Sequence, residues 1–134
     1  MDLLIEPLSA AAFAPFGQVL EVSDMARHFT INAGFAERYN DLARVDVASA
    51  GGRPQTSIFR ARPRSLPMAL ILLERHPLGS QSFMPLSQLP YLVVVAPPAE
   101  ASRPDLARLR CFAAGPGQGV NDAAGTWHHP LLAL

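Results

Sequence analysis

The sequence predicts an all-β domain, and three observations carry that prediction. Thirteen prolines and nine glycines cut the 134 residues into short pieces, which suits many strands and few helices. The longest apolar runs, residues 68–73 and 92–96, have the length of buried strands. The remaining strand-like segments recur at the spacing found in sandwiches and barrels. A chain of this length is the size of one domain and buries roughly two-thirds of its unfolded surface, enough for a core without metal or disulfide staples. With no internal repeat and no linker, residues 1–134 read as a single domain.

The elements follow in order. Residues 3–6 form a short first strand. Ser9 caps a brief helix over residues 10–14, which Pro15 and Gly17 stop. Residues 18–22 and 29–32 are strands, the second ending at Ala33-Gly34. Residues 37–41 read as an ordered polar turn, and residues 45–48 precede the Gly51-Gly52 turn. Residues 57–61 mix polar and apolar positions, as a strand with one wet face should. Residues 68–74 are apolar enough for a strand buried on both faces, and periodicity alone leaves a helix open there. Residues 82–86 and 91–95 continue the pattern. Ser102, Pro104 and Asp105 make a helix start, which predicts a helix over residues 104–110 with Cys111 at its end. A glycine-rich turn at residues 115–119 leads to a last strand over residues 127–134.

Composition excludes several classes of function. Eleven basic and eleven acidic residues cancel, and a pI near 6.9 supplies no field for nucleic acid or an anionic membrane. All the basic residues are arginine, which removes Schiff-base lysine chemistry. A single cysteine excludes an intrachain disulfide framework and suits a reducing compartment. No segment approaches the ~20 apolar residues of a membrane helix, and the N-terminus lacks a basic leader region. The expectation is a soluble cytoplasmic protein.

Three of the four histidines fall in two short groups, Glu74-Arg75-His76 and His128-His129. If residues 68–76 are a strand, Glu74 and His76 share a face. Gln81 lies across the turn at residues 77–80, so carboxylate, imidazole and amide converge from the two ends of one hairpin. His128 completes a four-residue pocket. Because neighbouring strand residues face opposite ways, His128 is expected to point inward while Trp127 and His129 share the other face. Two imidazoles and a carboxylate suit a divalent transition metal, and the same groups serve equally as general acid and base without one. His28, without a partner nearby, reads as a surface residue. Arg60 offers a fork for a substrate carboxylate, although most strand arginines are solvated or paired with a surface acid. The run Gly115-Pro116-Gly117-Gln118-Gly119 lacks the Lys-Ser/Thr ending of a phosphate loop. Cys111 reads as a small core residue.

Glu74-Arg75-His76-Pro77-Leu78-Gly79-Ser80-Gln81 resembles a degenerate first cupin motif, with Glu74 at the usual first histidine, His76 at the second and Gln81 near the usual glutamate. Ala124-Gly125-Thr126-Trp127-His128 resembles the second motif. More narrowly, the chain resembles the ureidoglycolate lyase family. That likeness runs through Phe16-Gly17, Ile31-Asn32, Arg38, Asp41-Leu42-Ala43, residues 74–79, Gln118-Gly119-Val120-Asn121 and Trp127-His128-His129-Pro130.

The resemblance implies a cupin-like β-barrel (a double-stranded β-helix, or jelly roll) with one or two short helices. It also implies a homodimer, cleavage of (S)-ureidoglycolate to glyoxylate and urea in allantoin breakdown, and a divalent metal such as nickel. On that reading His76, His128 and Glu74 are catalytic, while Arg60, Gln81, Asn32 and Trp127 bind substrate. If a metal is bound, Glu74, His76, Gln81 and His128 are its ligands. Two departures stand out. Asp122 occupies the position after Gly-Val-Asn where the family usually has tyrosine, which removes a hydroxyl or changes the charge of the site. The chain also ends soon after the second motif, so the barrel is expected to be open at its C-terminal end, with an exposed strand edge. The alternatives are another small cupin enzyme, a non-catalytic cupin module that binds a carboxylate metabolite, and an inactive remnant.

Overall fold

Strand β6 (Tyr91–Ala96) is apolar throughout because both of its faces are buried. Tyr91, Val93 and Val95 enter one core cluster with Leu8, Phe13, Phe16, Val19, Phe112, Ala114 and Val120. Leu92 and Val94 point the other way, into a smaller cluster with Cys111 and Leu132. The computed structural model describes residues 1–134, and they build outward from this strand.

Strand β7 (Arg110–Ala114) pairs antiparallel along one edge of β6, and β1 (Ile5–Pro7) lies parallel to β7. Along the other edge run β9 (Trp127–His128) and β10 (Leu132–Ala133), both antiparallel. A second, three-stranded sheet places β8 (Gly119–Asp122) between β2 (Gly17–Leu20) and β5 (Gln81–Phe83). The hairpin of β3 (His28–Ile31) and β4 (Ala36–Tyr39) stands apart as a two-stranded sheet. Phe13, Phe16 and Phe112 pack with ring centroids 5.7–6.3 Å apart. These rings join the short helix α1 (Ala10–Phe13) to the main sheet. The result is an all-β fold in several sheets, consistent with a cupin-like architecture, whose sheets do not close into a barrel.

The cap at α1 forms as expected: Ser9 Oγ accepts from the Ala12 N–H at 3.2 Å. Several other expectations need correction. Residues 68–74 are not a strand. Met68, Leu70 and Leu73 pack against the smaller cluster, but Ile71 is 84% exposed, and both edges of β6 are already taken by β7 and by β9 with β10. Residues 57–61 likewise lie along the surface without ladder bonds. The nearby backbone bond from the Arg64 N–H to the Ala133 carbonyl stands alone, and Pro63 and Pro67 have no N–H to extend it.

The polar stretch at residues 37–41 is largely strand β4, because Glu37 bridges to His28 and Thr30 across the hairpin at 2.8 and 2.9 Å. His28 is a surface residue, as expected, and pairs with Glu37 across the hairpin. The expected helix at residues 104–110 reduces to a 3-10 turn at Leu106–Arg108. Asp105 caps it, and Cys111 sits buried in β7 rather than at a helix end. The strand expected over residues 127–134 divides into β9 and β10. Three residue steps of β6 (Val95 to Leu92) oppose four steps from His128 to Leu132, so the chain bulges at His129 and Pro130.

Candidate active site

The site is built where the segment Glu74-Arg75-His76 lies antiparallel to Thr126-Trp127-His128. Glu74 and His128 exchange both backbone hydrogen bonds at 2.8 Å, and the Gly125 N–H donates to the His76 carbonyl at 2.9 Å. Gly125 supports this turn at φ +81°, a conformation that costs glycine little. Directly opposed residues share a face, so the side chains of Glu74, His76 and His128 gather on one side. Arg75 and Trp127 stack on the other, with the guanidinium carbon 5.0 Å from the ring centroid.

His128 is the buried member of the cluster, while Glu74 and His76 are exposed. Its Nδ1 lies 3.0 Å from the Thr126 carbonyl, which can only accept. Neutral His128 therefore carries its proton on Nδ1 and leaves a lone pair on Nε2. That Nε2 has no hydrogen-bond partner, and Glu74 Oε1 stands 3.5 Å away. The rings of His76 and His128 have centroids 5.4 Å apart. The donor atoms of Glu74, His76 and His128 lie within 4.8 Å of one another. A buried, unpartnered imidazole nitrogen beside a carboxylate and a second imidazole fits a divalent transition metal.

On the Nδ1 side of the same ring lies Asp122, with Oδ2 at 3.8 Å. Asp122 is 4% exposed, and its Oδ1 has no partner. Burial pushes its carboxyl up to about 6, with His128 pulling the other way. Burial, reinforced by the Asp122 charge, pushes the Tyr91 hydroxyl up to about 12. Asp122 ends β8 between Gly17 and Gln81. A side chain at Gly17 would run into the Asn121 carbonyl, so glycine is required for this close approach. There the Phe16 carbonyl accepts from the Ala123 N–H and from Thr126 Oγ1, both at 2.9 Å, tying the turn before His128 to β2.

A cavity of about 240 Å³ opens between the two larger sheets. Of the site residues proposed from the sequence, Arg60, Glu74, Gln81 and His128 line it. Gln81 Oε1 is buried there without a partner. His76 stands outside the wall, beside His128. Asn32 lies in the exposed turn between β3 and β4, and Trp127 lies on the Arg75 side of the ladder. Neither of these two belongs to the wall.

Asp122, Tyr91 and His129 complete the polar part of the lining. Simple alternation sends His129 to the opposite face from His128, but the bulge lets both reach the cavity. Pro130 in the sequence is the signal that could have flagged this. Tyr91 belongs to a run that reads as plain core, and nothing local marks it as a cavity residue.

Comparison with known proteins adds a second line of observation. The family described as ureidoglycolate lyase matches residues 1–134. A Burkholderia mallei (strain NCTC 10229) protein named ureidoglycolate lyase is 53% identical over 132 residues, covering 98% of this chain and 75% of that protein. An Azotobacter vinelandii protein of the same name is 51% identical, with 98% and 78% covered. One from Brucella anthropi is 50% identical, with 98% and 76% covered. Identity at this level along nearly the whole chain, with a histidine and carboxylate cluster beside a cavity, places the protein in the ureidoglycolate lyase family.

Proposed function

We propose that this protein cleaves (S)-ureidoglycolate to glyoxylate and urea in allantoin breakdown, acting as one cupin-like domain over residues 1–134. The observation that carries the reading on this chain is the unpartnered Nε2 of buried His128 at a cavity that also holds Glu74, Arg60 and Gln81. Cleavage removes the hydroxyl proton, forms the aldehyde C=O, breaks the C–N bond and returns a proton to the departing urea nitrogen. His128 Nε2 accepts the hydroxyl proton, and Glu74, at 3.5 Å, stabilises the imidazolium that results. His76, alongside and exposed, delivers the proton to nitrogen. Arg60 anchors the carboxylate by its planar fork, and Gln81 reads the urea amide. Asn32 and Trp127 are outlying members of the proposed binding set.

Glu74, His76 and His128, with Gln81 as a fourth, would hold a divalent metal such as nickel. Such an ion supplies Lewis-acid polarisation of substrate oxygens. His128 Nε2 has one lone pair and serves either as ligand or as base, so the metal question is also a question about the base. Release of urea and glyoxylate by the purified protein, with and without chelator and corrected for spontaneous decay, tests both. Turnover above background is expected. Its absence in a folded protein that still binds glyoxylate would replace the lyase by a binding module.

The proposed assembly is a homodimer. Light scattering tests it. No helix is long and apolar enough to cross a membrane. The proposed location is the cytoplasm, which cell fractionation checks.

A further inference from the structure

Asp122 presents a carboxylate oxygen to the cavity that nothing in the protein satisfies. Its Oδ1 is buried and unpartnered, and three donors of the surrounding residues are committed elsewhere. The Tyr91 hydroxyl donates to the Gln118 carbonyl, Thr126 Oγ1 to Phe16, and His128 Nδ1 to the Thr126 carbonyl. The metal-competent cluster does not account for it either. Asp122 approaches the Nδ1 edge of His128, whereas Glu74 faces Nε2 across the ring. Gln81 is paired directly opposite Asp122 in the β5–β8 ladder, so the two side chains share a face, and Gln81 Oε1 is likewise buried without a partner.

Two neighbouring acceptors of this kind call for a ligand rich in N–H groups. A carboxylate is repelled there by the charge of Asp122, but finds Arg60 at another part of the same wall.

We propose that Asp122 and Gln81 form an acceptor pair that binds the terminal NH2 of a carbamoyl group, making Asp122 a specificity-determining residue. This rests on the ureidoglycolate reading and orients that substrate, with the ureido end at Asp122 and the carboxylate toward Arg60.

Two stable probes test it. Ureidoacetate keeps the carboxylate and the whole ureido group but lacks the hydroxyl that elimination needs. N-acetylglycine differs from it by a methyl in place of the terminal NH2. By titration calorimetry the wild-type protein should prefer ureidoacetate by about 10-fold to 100-fold, the range for a hydrogen bond to a charged group. Asp122→Leu should reduce that preference to within about 3-fold, with Asp122→Asn between them. Equal wild-type affinity for the two probes, no measurable binding of ureidoacetate, or an undiminished preference in folded Asp122→Leu would overturn the proposal. The wild-type comparison needs no variant, so it stands even if both substitutions prevent folding. A protein that prefers ureidoacetate yet releases no urea from ureidoglycolate would strike the cleavage reading and leave this subsite. Turnover with equal probe affinities would do the reverse.

Discussion

Glu74 and His128 face each other across an antiparallel pair that closes both backbone hydrogen bonds at 2.8 Å, and this clamp holds Glu74 Oε1 3.5 Å from His128 Nε2. The pair is asymmetric. His128 is 5% exposed and fixed through Nδ1 to the Thr126 carbonyl, whereas the Glu74 side chain is about half exposed. A rigid ring beside an adjustable carboxylate suits proton transfer, because the ring defines the geometry and the carboxylate follows the charge.

Substituting either partner should therefore fall on turnover. His128→Ala and Glu74→Ala are each expected to lower kcat by roughly 10²-fold or more, and His76→Ala to act in the same direction. Urea release by proteins with unchanged far-UV circular dichroism is the measurement. A variant that turns over at the wild-type rate would remove that residue from the machinery.

Metal binding is checked apart from activity. Dialysed protein titrated with Ni²⁺ should bind one ion per chain. His76→Ala should weaken binding by about 100-fold or more, since loss of an outer supporting group alone costs 10–100-fold. Unchanged affinity in His76→Ala would move the site elsewhere.

Asn121 is fully buried and joins three segments near the cavity. Its Oδ1 accepts from Ser82 Oγ at 2.6 Å, while Nδ2 donates to Gln18 Oε1 at 2.9 Å and to the Arg44 carbonyl at 3.2 Å. Asn121→Ala should cost about 2–4 kcal/mol in urea unfolding, the range for several buried hydrogen bonds lost together. Asn121→Asp sets an acceptor against two acceptors, so its penalty should be larger at pH 8 than at pH 5, where a protonated carboxyl can donate.

Asp122 makes stability depend on pH with a definite sign. Its folded carboxyl, raised to about 6 from the ordinary 3.8, holds its proton more tightly than the unfolded chain does. The stabilising contribution is present in full below pH 3.8 and is lost as pH rises through about 6. The difference corresponds to something on the order of 3 kcal/mol. Asp122→Asn, which has no charge to bury, should gain Tm relative to wild type between those limits and hold the gain above them. Parallel melting curves from pH 4 to pH 8 check this, and a constant offset would contradict it.

Much of the candidate site's geometry is legible in the sequence. Alternation alone put Glu74 and His76 on one face, and the short extended segment 74–76 bears this out, because its pairing with residues 126–128 restores strand geometry locally. Arg60 reaches the cavity wall although residues 57–61 form no strand, because Phe59, Arg60 and Ala61 together line the cavity from the surface. Asp122 was visible as an unusual residue. Its burial between Gly17 and Gln81 was not, because that follows from two strand pairings with partners 105 and 41 residues away in the chain.

The division has a physical basis. Local chemistry in the sequence determined the all-β character through proline and glycine punctuation, the helix α1 through its Ser9 cap, and β6 through its unbroken apolar run. Each depends on dihedral preferences and side-chain period within a few residues. Only the tertiary structure decided which of two similar apolar runs would be buried on both faces. Residues 91–96 gained partners on both edges, while residues 68–73 were left to cover one side with Ile71 in solvent. The bulge that turns His129 inward and the burial of Asp122 were decided the same way. Both are set by long-range pairing and by how many hydrogen-bonding edges the sheet has left to offer.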